Sequence, residues 1–327
     1  MVTDMARAVE ESKSDDTSLP AARLVPLALA ADGREAIGQP PLLLVHAIGG
    51  TVQSYAPLAQ RVKDVYSVVG IEAFGLSGEH EPVDSLTEIV ERYVGTVRAA
   101  WPCGPYRLGG WSMGGIVAFE MARRLEQEGA EVAFVALLDS SFTLTREDLG
   151  LPSSSEEGPV PEGASTLVAR FAEDIADSLG WRIPTTGAAV IDPLGWLAAT
   201  ITGEDGNEAA RDYIDTMRAE LESRFRVFHA HAEALAHYVP TGPVAADLLL
   251  LTPDQSFNVN CAQRWAEQTS GHVHHARVNG NHYTFLRPPV VGEVAVFVRT
   301  ASAHHGLHSQ MDGWRCVDLS SPSHAFD

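Results

Sequence analysis

The sequence predicts an α/β fold, with a mostly parallel central sheet flanked by helices and interrupted by a helical insertion. Three observations carry this expectation. Short runs that are apolar throughout, such as Leu42-Leu43-Leu44-Val45 and residues 132–138, have the pattern of strands buried on both faces. Segments with helical spacing separate them, so strand and helix alternate along the chain. After Ser141 the alternation stops, and it resumes only near residue 246.

Residues 1–21 are rich in Ser, Asp, Glu and Lys without a persistent apolar period, and are expected to form a flexible tail. The first strand is expected at 24–30, a turn at Gly38-Gln39-Pro40-Pro41, and the next strand at 42–45. His46-Ala47-Ile48-Gly49-Gly50 reads as a glycine-rich loop. A helix is expected over 55–62 and a strand over 66–71. Residues 86–100 form an amphipathic helix in which Leu86, Ile89, Val90, Tyr93 and Val97 share one face. A strand at 106–110 runs into a turn, followed by a helix at 116–128 and a buried strand at 132–138.

From 142 to about 238 no buried-strand pattern occurs; helices are expected at 166–179, 194–201 and 208–238. An insertion in this position is expected to be a lid. Its Trp181, Trp196, Phe225 and Phe228 either line a substrate chamber or pack the lid helices together. Strands return at 246–251 and 273–278, and a closing helix falls within 288–300. The folded domain is expected to span 22–300, and residues 301–327 to be disordered.

Composition narrows the function. The chain carries 43 acidic against 23 basic residues, a formal net charge of -20. Nucleic acid is therefore not an expected partner, because phosphate binding needs a basic surface. No apolar run reaches the ~18 residues that suggest a membrane span. The polar start of the chain lacks the apolar region of a secretory signal. Cys103, Cys261 and Cys316 are an odd set without metal-ligand spacing, so neither a disulfide framework nor a bound metal is expected. A reducing cytoplasm is the expected location.

Gly110-Trp111-Ser112-Met113-Gly114 fits G-x-S-x-G in the setting that gives the pattern meaning, with a strand just before it and an amphipathic helix just after it. So sharp a turn has no room for flanking side chains, which explains Gly110 and Gly114. Ser112 is thus the expected nucleophile, raised above the carboxyl edge of the sheet at a helix N-terminus. A serine hydroxyl needs a base, and the base needs a carboxylate. Of the 13 histidines, His282 lies in the loop between the last strand and the closing helix, at the same sheet edge as Ser112. His274 and His275 lie within a strand; His229, His231 and His237 lie on an insertion helix and read as surface or packing residues. Two acids compete, Asp139 after the strand that precedes the insertion and Asp254 after the strand that follows it. The oxyanion hole is expected from the N–H of Met113 and a second N–H from the glycine-rich loop, Ile48 or alternatively Ala47.

The residues 106–115, Tyr-Arg-Leu-Gly-Gly-Trp-Ser-Met-Gly-Gly, resemble the nucleophile segment of thioesterase domains that end nonribosomal peptide synthetases. Residues 40–50 resemble their oxyanion segment, and Gly280-Asn281-His282-Tyr283 their histidine loop. The resemblance covers roughly 24–300, with the lid matched only in type. It implies the α/β-hydrolase fold and Asp139 as the acid. It also implies a substrate held as a thioester on the phosphopantetheine arm of a carrier protein, and no cofactor of the enzyme's own. The acyl or peptidyl chain would pass to Ser112 and leave by hydrolysis or macrocyclisation.

The chain departs from the pattern at Ala47, where the family often has Pro, so a more mobile loop is expected there. No carrier segment precedes the domain, so the expectation is either an excised terminal domain or a free-standing enzyme acting in trans. Trp111 and the size of the insertion favour product release over editing, and Met113 favours peptides or mixed peptide–polyketides. Three rivals remain: a carboxylesterase or lipase acting on small esters, an acyltransferase between carriers, and a binding module that kept only the fold.

Overall fold

In a computed structural model, residues 21–30, 40–151, 162–183, 192–203, 208–256, 261–301 and 317–318 are described. The expected N-terminal tail lies outside them, save for residue 21, and so does most of the C-terminal segment.

Among the described residues, eight strands form one sheet in the order β1-β3-β2-β4-β5-β6-β7-β8. They are β1 (Arg23–Ala28), β2 (Leu42–Val45), β3 (Val68–Glu72), β4 (Tyr106–Trp111), β5 (Val132–Leu138), β6 (Asp247–Pro253), β7 (Val273–Val278) and β8 (Val317–Asp318). The strands from β3 to β7 are parallel to their neighbours, while β1 on β3 and β8 on β7 are antiparallel. The mostly parallel sheet is therefore as expected. Of the segment 301–327, only residues 301 and 317–318 are described, and the backbone of Val317–Asp318 pairs with His274 and His275 of β7. This two-residue pairing has no local apolar pattern that a sequence reading could detect.

Alternation explains why the sheet is covered on both faces. Leu43, Val45, Val69, Ile71, Leu108, Val135 and Leu137 enter one core cluster, while Leu42, Leu44, Val68, Phe134, Ala136, Leu138 and Leu249 enter the other. The first face packs against α2 (Leu86–Ala100) and α3 (Met113–Gln127). The second packs against α1 (Ala56–Val62) and α9 (Val291–Ala301). Ser85 caps α2 by accepting the Glu88 N–H, satisfying one of the donors left open at a helix start.

Between β5 and β6 the described residues form four helices: α4 (Arg146–Leu149), α5 (Glu162–Leu179), α6 (Pro193–Thr202) and α7 (Glu208–Ala236). α8 (Cys261–Ala266) follows β6. Phe171 on α5 meets Phe225 and Phe228 on α7 edge to face, and Arg146 holds Glu233 through two hydrogen bonds of 2.7 and 3.0 Å. The insertion is thus packed onto itself and onto the body of the protein. Phe225 and Phe228 belong to that packing, as do Trp181 and Trp196, which lie against the same cluster.

The sheet order reverses at β2, which pairs with β3 on one edge and with β4 on the other. Such a switch point opens a crevice at the carboxyl ends of the strands. Tyr55 fills its base: its hydroxyl donates to Val45 O at 2.6 Å and accepts the Trp111 N–H at 2.7 Å. The ends of β2 and β4 are thereby held apart at a set spacing.

Candidate active site

Ser112 sits between the last residue of β4 and the first of α3, with φ 58° and ψ -125°. A non-glycine residue at positive φ is strained and survives only where its surroundings impose it. The imposition is visible in the glycines. A Cβ on Gly110 would fall on the backbone of Gly114, one on Gly114 would fall on the Val45 carbonyl oxygen, and one on Gly115 would fall on the Ser140 hydroxyl. The chain therefore turns through a gap only glycine fits, and Ser112 stands at its crest. Its N–H remains tied to Leu138 O at 3.0 Å. The helix expected over 116–128 begins earlier, at Met113, with Gly114 and Gly115 of its first turn packed against Val45 and Ser140.

Asp139 follows β5, also at positive φ, 49°. Its N–H donates to Leu251 O at 2.8 Å, and Trp265 Nε1 of α8 donates to the next carbonyl, Ser140 O, at 3.1 Å. The Asp139 side chain is wholly buried. One carboxylate oxygen accepts from His282 Nδ1 at 2.7 Å and the other from the Ser256 hydroxyl at 2.5 Å. A buried carboxylate needs such partners, since an unpaired one is heavily penalised.

His282 is held from its own loop. The Asn281 side-chain oxygen accepts the N–H groups of Tyr283 at 3.0 Å and Thr284 at 3.1 Å, a compact Asx-type turn. Trp111, the residue before Ser112, lies with its ring 5.1 Å from the His282 ring. The histidine loop and the Ser112 turn are therefore neighbours. Asp254, the alternative acid, is elsewhere: it is exposed and accepts from Arg277 Nε at 3.2 Å.

The loop after β2 closes the other side. Because Gly114 lies against Val45 and His46, residues 47–49 border the start of α3. Ala47 is buried and Ile48 half-buried. Ala47 O accepts from Gly50 N at 2.9 Å and from His46 Nδ1 at 2.7 Å. Ile48 O accepts from His231 Nδ1 at 2.7 Å. Sequence reading left His46 without a role and took His231 as a packing or surface residue. It is buried, and its polar edge is spent on the loop. The signal was present in α7, where Val227, Phe228, His231, Ala234 and Leu235 recur at helical spacing along one buried face. Ser256 offered no comparable signal.

Burial of the two imidazoles lowers both pKa values, His46 to about 3 and His231 to about 4. For His46 the neighbouring His231 adds to the effect of desolvation. Both rings are therefore neutral near pH 7. Among the described residues no group of His, Cys, Asp or Glu is arranged to hold a metal, and no helix is long and apolar enough to cross a membrane.

A family model described as a thioesterase domain matches residues 40–301. The chain is similar to the nonribosomal peptide synthetase pngA of Aspergillus terreus, 27% identical over 256 residues that cover 76% of this chain and 26% of that protein. It is also similar to the non-reducing polyketide synthase crz7 of Cladonia metacorallifera, 28% identical over 303 residues that cover 90% of this chain and 13% of that one. The chain thus spans about a quarter or less of the length of these two relatives. Among solved structures, the wild-type Vlm2 thioesterase domain aligns with a TM-score of 0.61 at 22% identity, over 86% of this chain and 97% of that one. The NocB thioesterase domain, in covalent complex with a fluorophosphonate nocardicin G analogue, aligns with a TM-score of 0.54 at 21% identity, over 80% and 94%. At these identities the structural likeness concerns the fold.

Proposed function

The chain belongs to the thioesterase domain family, and from that premise we propose that it releases an acyl or peptidyl chain from the phosphopantetheine arm of a carrier protein, through an ester on Ser112, in nonribosomal peptide or hybrid polyketide assembly. The observation that carries this reading is the 2.7 Å hydrogen bond from His282 to the buried Asp139, residues 143 apart in sequence, beside the strained turn that bears Ser112.

A carboxylate only accepts hydrogen bonds, so Nδ1 of His282 carries the proton and Nε2 is left as the base. Nε2 takes the proton of Ser112 as Oγ attacks the thioester carbonyl. Negative charge collects on the carbonyl oxygen, where the N–H groups of Met113 and Ile48 stabilise it. Collapse breaks the carbon–sulfur bond, and the pantetheine thiol leaves with the proton from His282. A water molecule, or an amine or hydroxyl of the bound chain itself, then attacks the ester with His282 again as base. The first route yields a free acid and the second a ring. The enzyme contributes no cofactor; its partner is the carrier domain.

The test is turnover. The protein is given an acyl or peptidyl chain on a carrier protein, the same chain as a short pantetheine thioester, and simple esters of similar size. Faster release from the thioesters supports the reading, and the product separates hydrolysis from cyclisation. Turnover of simple esters with no reaction of either thioester would replace it with a carboxylesterase.

A further inference from the structure

The loop that carries the Ile48 N–H is gripped at two consecutive peptide groups, and a histidine takes part in each grip. His46 Nδ1 lies 2.7 Å from Ala47 O, and His231 Nδ1 lies 2.7 Å from Ile48 O. Carbonyl oxygens only accept, so each Nδ1 carries the proton. Nε2 of His46 is then an acceptor, and the Tyr93 hydroxyl donates to it at 2.6 Å. The two imidazoles stack with centroids 4.8 Å apart and planes 15° from parallel. His46, His231 and Tyr93 are all buried.

A trans peptide group is planar, and its N–H points opposite to its C=O. The Ile48 N–H belongs to the same rigid unit as Ala47 O, so His46 and the Gly50 N–H together set the direction of that N–H. His231 fixes the next unit and so prevents the pair from swinging together. Ala47 imposes no ring on the backbone, so the two side-chain grips and the Gly50 N–H on Ala47 O supply the restraint. His46 comes from the loop itself and Tyr93 from α2, but His231 comes from α7, on the insertion, 183 residues away from Ile48.

We propose that His231 is a positioning residue that links the seating of helix α7 to the aim of the oxyanion loop. This rests on the reading of Ile48 N–H as an oxyanion donor. Neutral rings suit the role, since stacked imidazolium ions would repel. A shift of α7 along its axis withdraws the grip on Ile48 O, and the loop relaxes. A well-seated insertion, as with a bound acyl chain beneath it, restores it.

The experiment compares wild type, His231→Leu, His231→Ala, His231→Asn and Ser112→Ala on one pantetheine thioester, with kcat and KM measured separately and unfolding followed alongside. The amide of Asn can place a donor where Nδ1 stands; Leu cannot. Leu is expected to lower kcat roughly 10- to 100-fold with KM nearly unchanged, less than or comparable to losing an oxyanion donor outright. Asn is expected to recover most of that loss. The inactivation rate by a fluorophosphonate, whose adduct is a tetrahedral phosphonate ester with a polar phosphoryl oxygen, should follow kcat across the series. Wild-type kcat in the Leu variant overturns the proposal, as does a loss that Asn does not repair. If the Leu variant fails to fold, His231→Ala decides, since it removes the donor without adding bulk: a fall in kcat at constant KM supports the grip, and an unchanged kcat overturns it. Acylation of the Ser112→Ala variant would overturn the acyl-enzyme reading itself, whereas acylation that needs Ser112 but ignores His231 removes only the positioning role.

Discussion

His282 donates through Nδ1 to Asp139 Oδ2 across 2.7 Å, and the carboxylate is wholly buried while the ring keeps 12% of its surface exposed. The arrangement fixes the tautomer of the imidazole and leaves its other nitrogen on the accessible side. Replacing Asp139 with Asn allows the wrong tautomer, and kcat is expected to fall about 10⁴-fold with little change in fold. Asp254→Asn, which disturbs only an exposed contact with Arg277, is expected to leave turnover within about twofold, since exposed pairs contribute little. Steady-state kinetics on a thioester separate the two acids directly.

Ser256 holds the other oxygen of the same carboxylate at 2.5 Å. Ser256→Ala removes a hydrogen bond to a buried charged group, which costs on the order of 1–3 kcal/mol. We expect lower stability in denaturant titrations and a several-fold drop in kcat, well short of that for Asp139→Asn. A variant with unchanged stability and kcat would show that the Ser256 hydroxyl is dispensable for holding the acid.

The elbow at Ser112 tolerates no side chain beside it. A Cβ on Gly114 collides with the Val45 carbonyl oxygen, and backbone cannot yield as a flexible side chain does. Gly114→Ala is expected to lose activity and to expose the nucleophile turn to proteolysis, measured against Gly129→Ala. At Gly129 a Cβ meets nothing within 4 Å, although its φ of +78° makes that change mildly strained.

Acid should destabilise the fold early. Burial lowers His46 to about 3, His231 to about 4 and His275 to about 4. Above pH 6.5 these groups are neutral in both folded and unfolded chains, so stability is complete. As pH falls below 6.5 the unfolded chain takes up protons that the folded chain refuses, and stability drops until the folded values are reached. Each group contributes about 1.4 kcal/mol per pH unit in that window. Denaturant midpoints should therefore decline steeply between pH 6.5 and about 4, and His275→Leu should make the slope shallower.

Local chemistry was legible in the sequence and remote chemistry was not. Strands at 42–45, 132–138 and 273–278 and the helix at 86–100 coincide with the observed elements, because each is declared by its own apolar pattern. Ser112, Asp139 and His282 were singled out because each closes a strand or its loop at one sheet edge. The acid was decided by family resemblance rather than spacing, since both strand ends reach that edge. Helix α3 starts at Met113, three residues earlier than expected, while the closing helix starts at Val291, inside the expected segment. His231 on Ile48 and Ser256 on Asp139 join positions 183 and 117 residues apart, which no local pattern encodes.

The central claim is that the chain passes through an ester on Ser112. Wild type and Ser112→Ala are mixed with a pantetheine thioester, quenched within a single turnover and weighed by intact-mass spectrometry, with the adduct located by peptide mapping. We predict one acyl group on the wild type, on the peptide that contains Ser112, and none on the variant. Full thioester turnover by Ser112→Ala, or an adduct on any other residue, would contradict it.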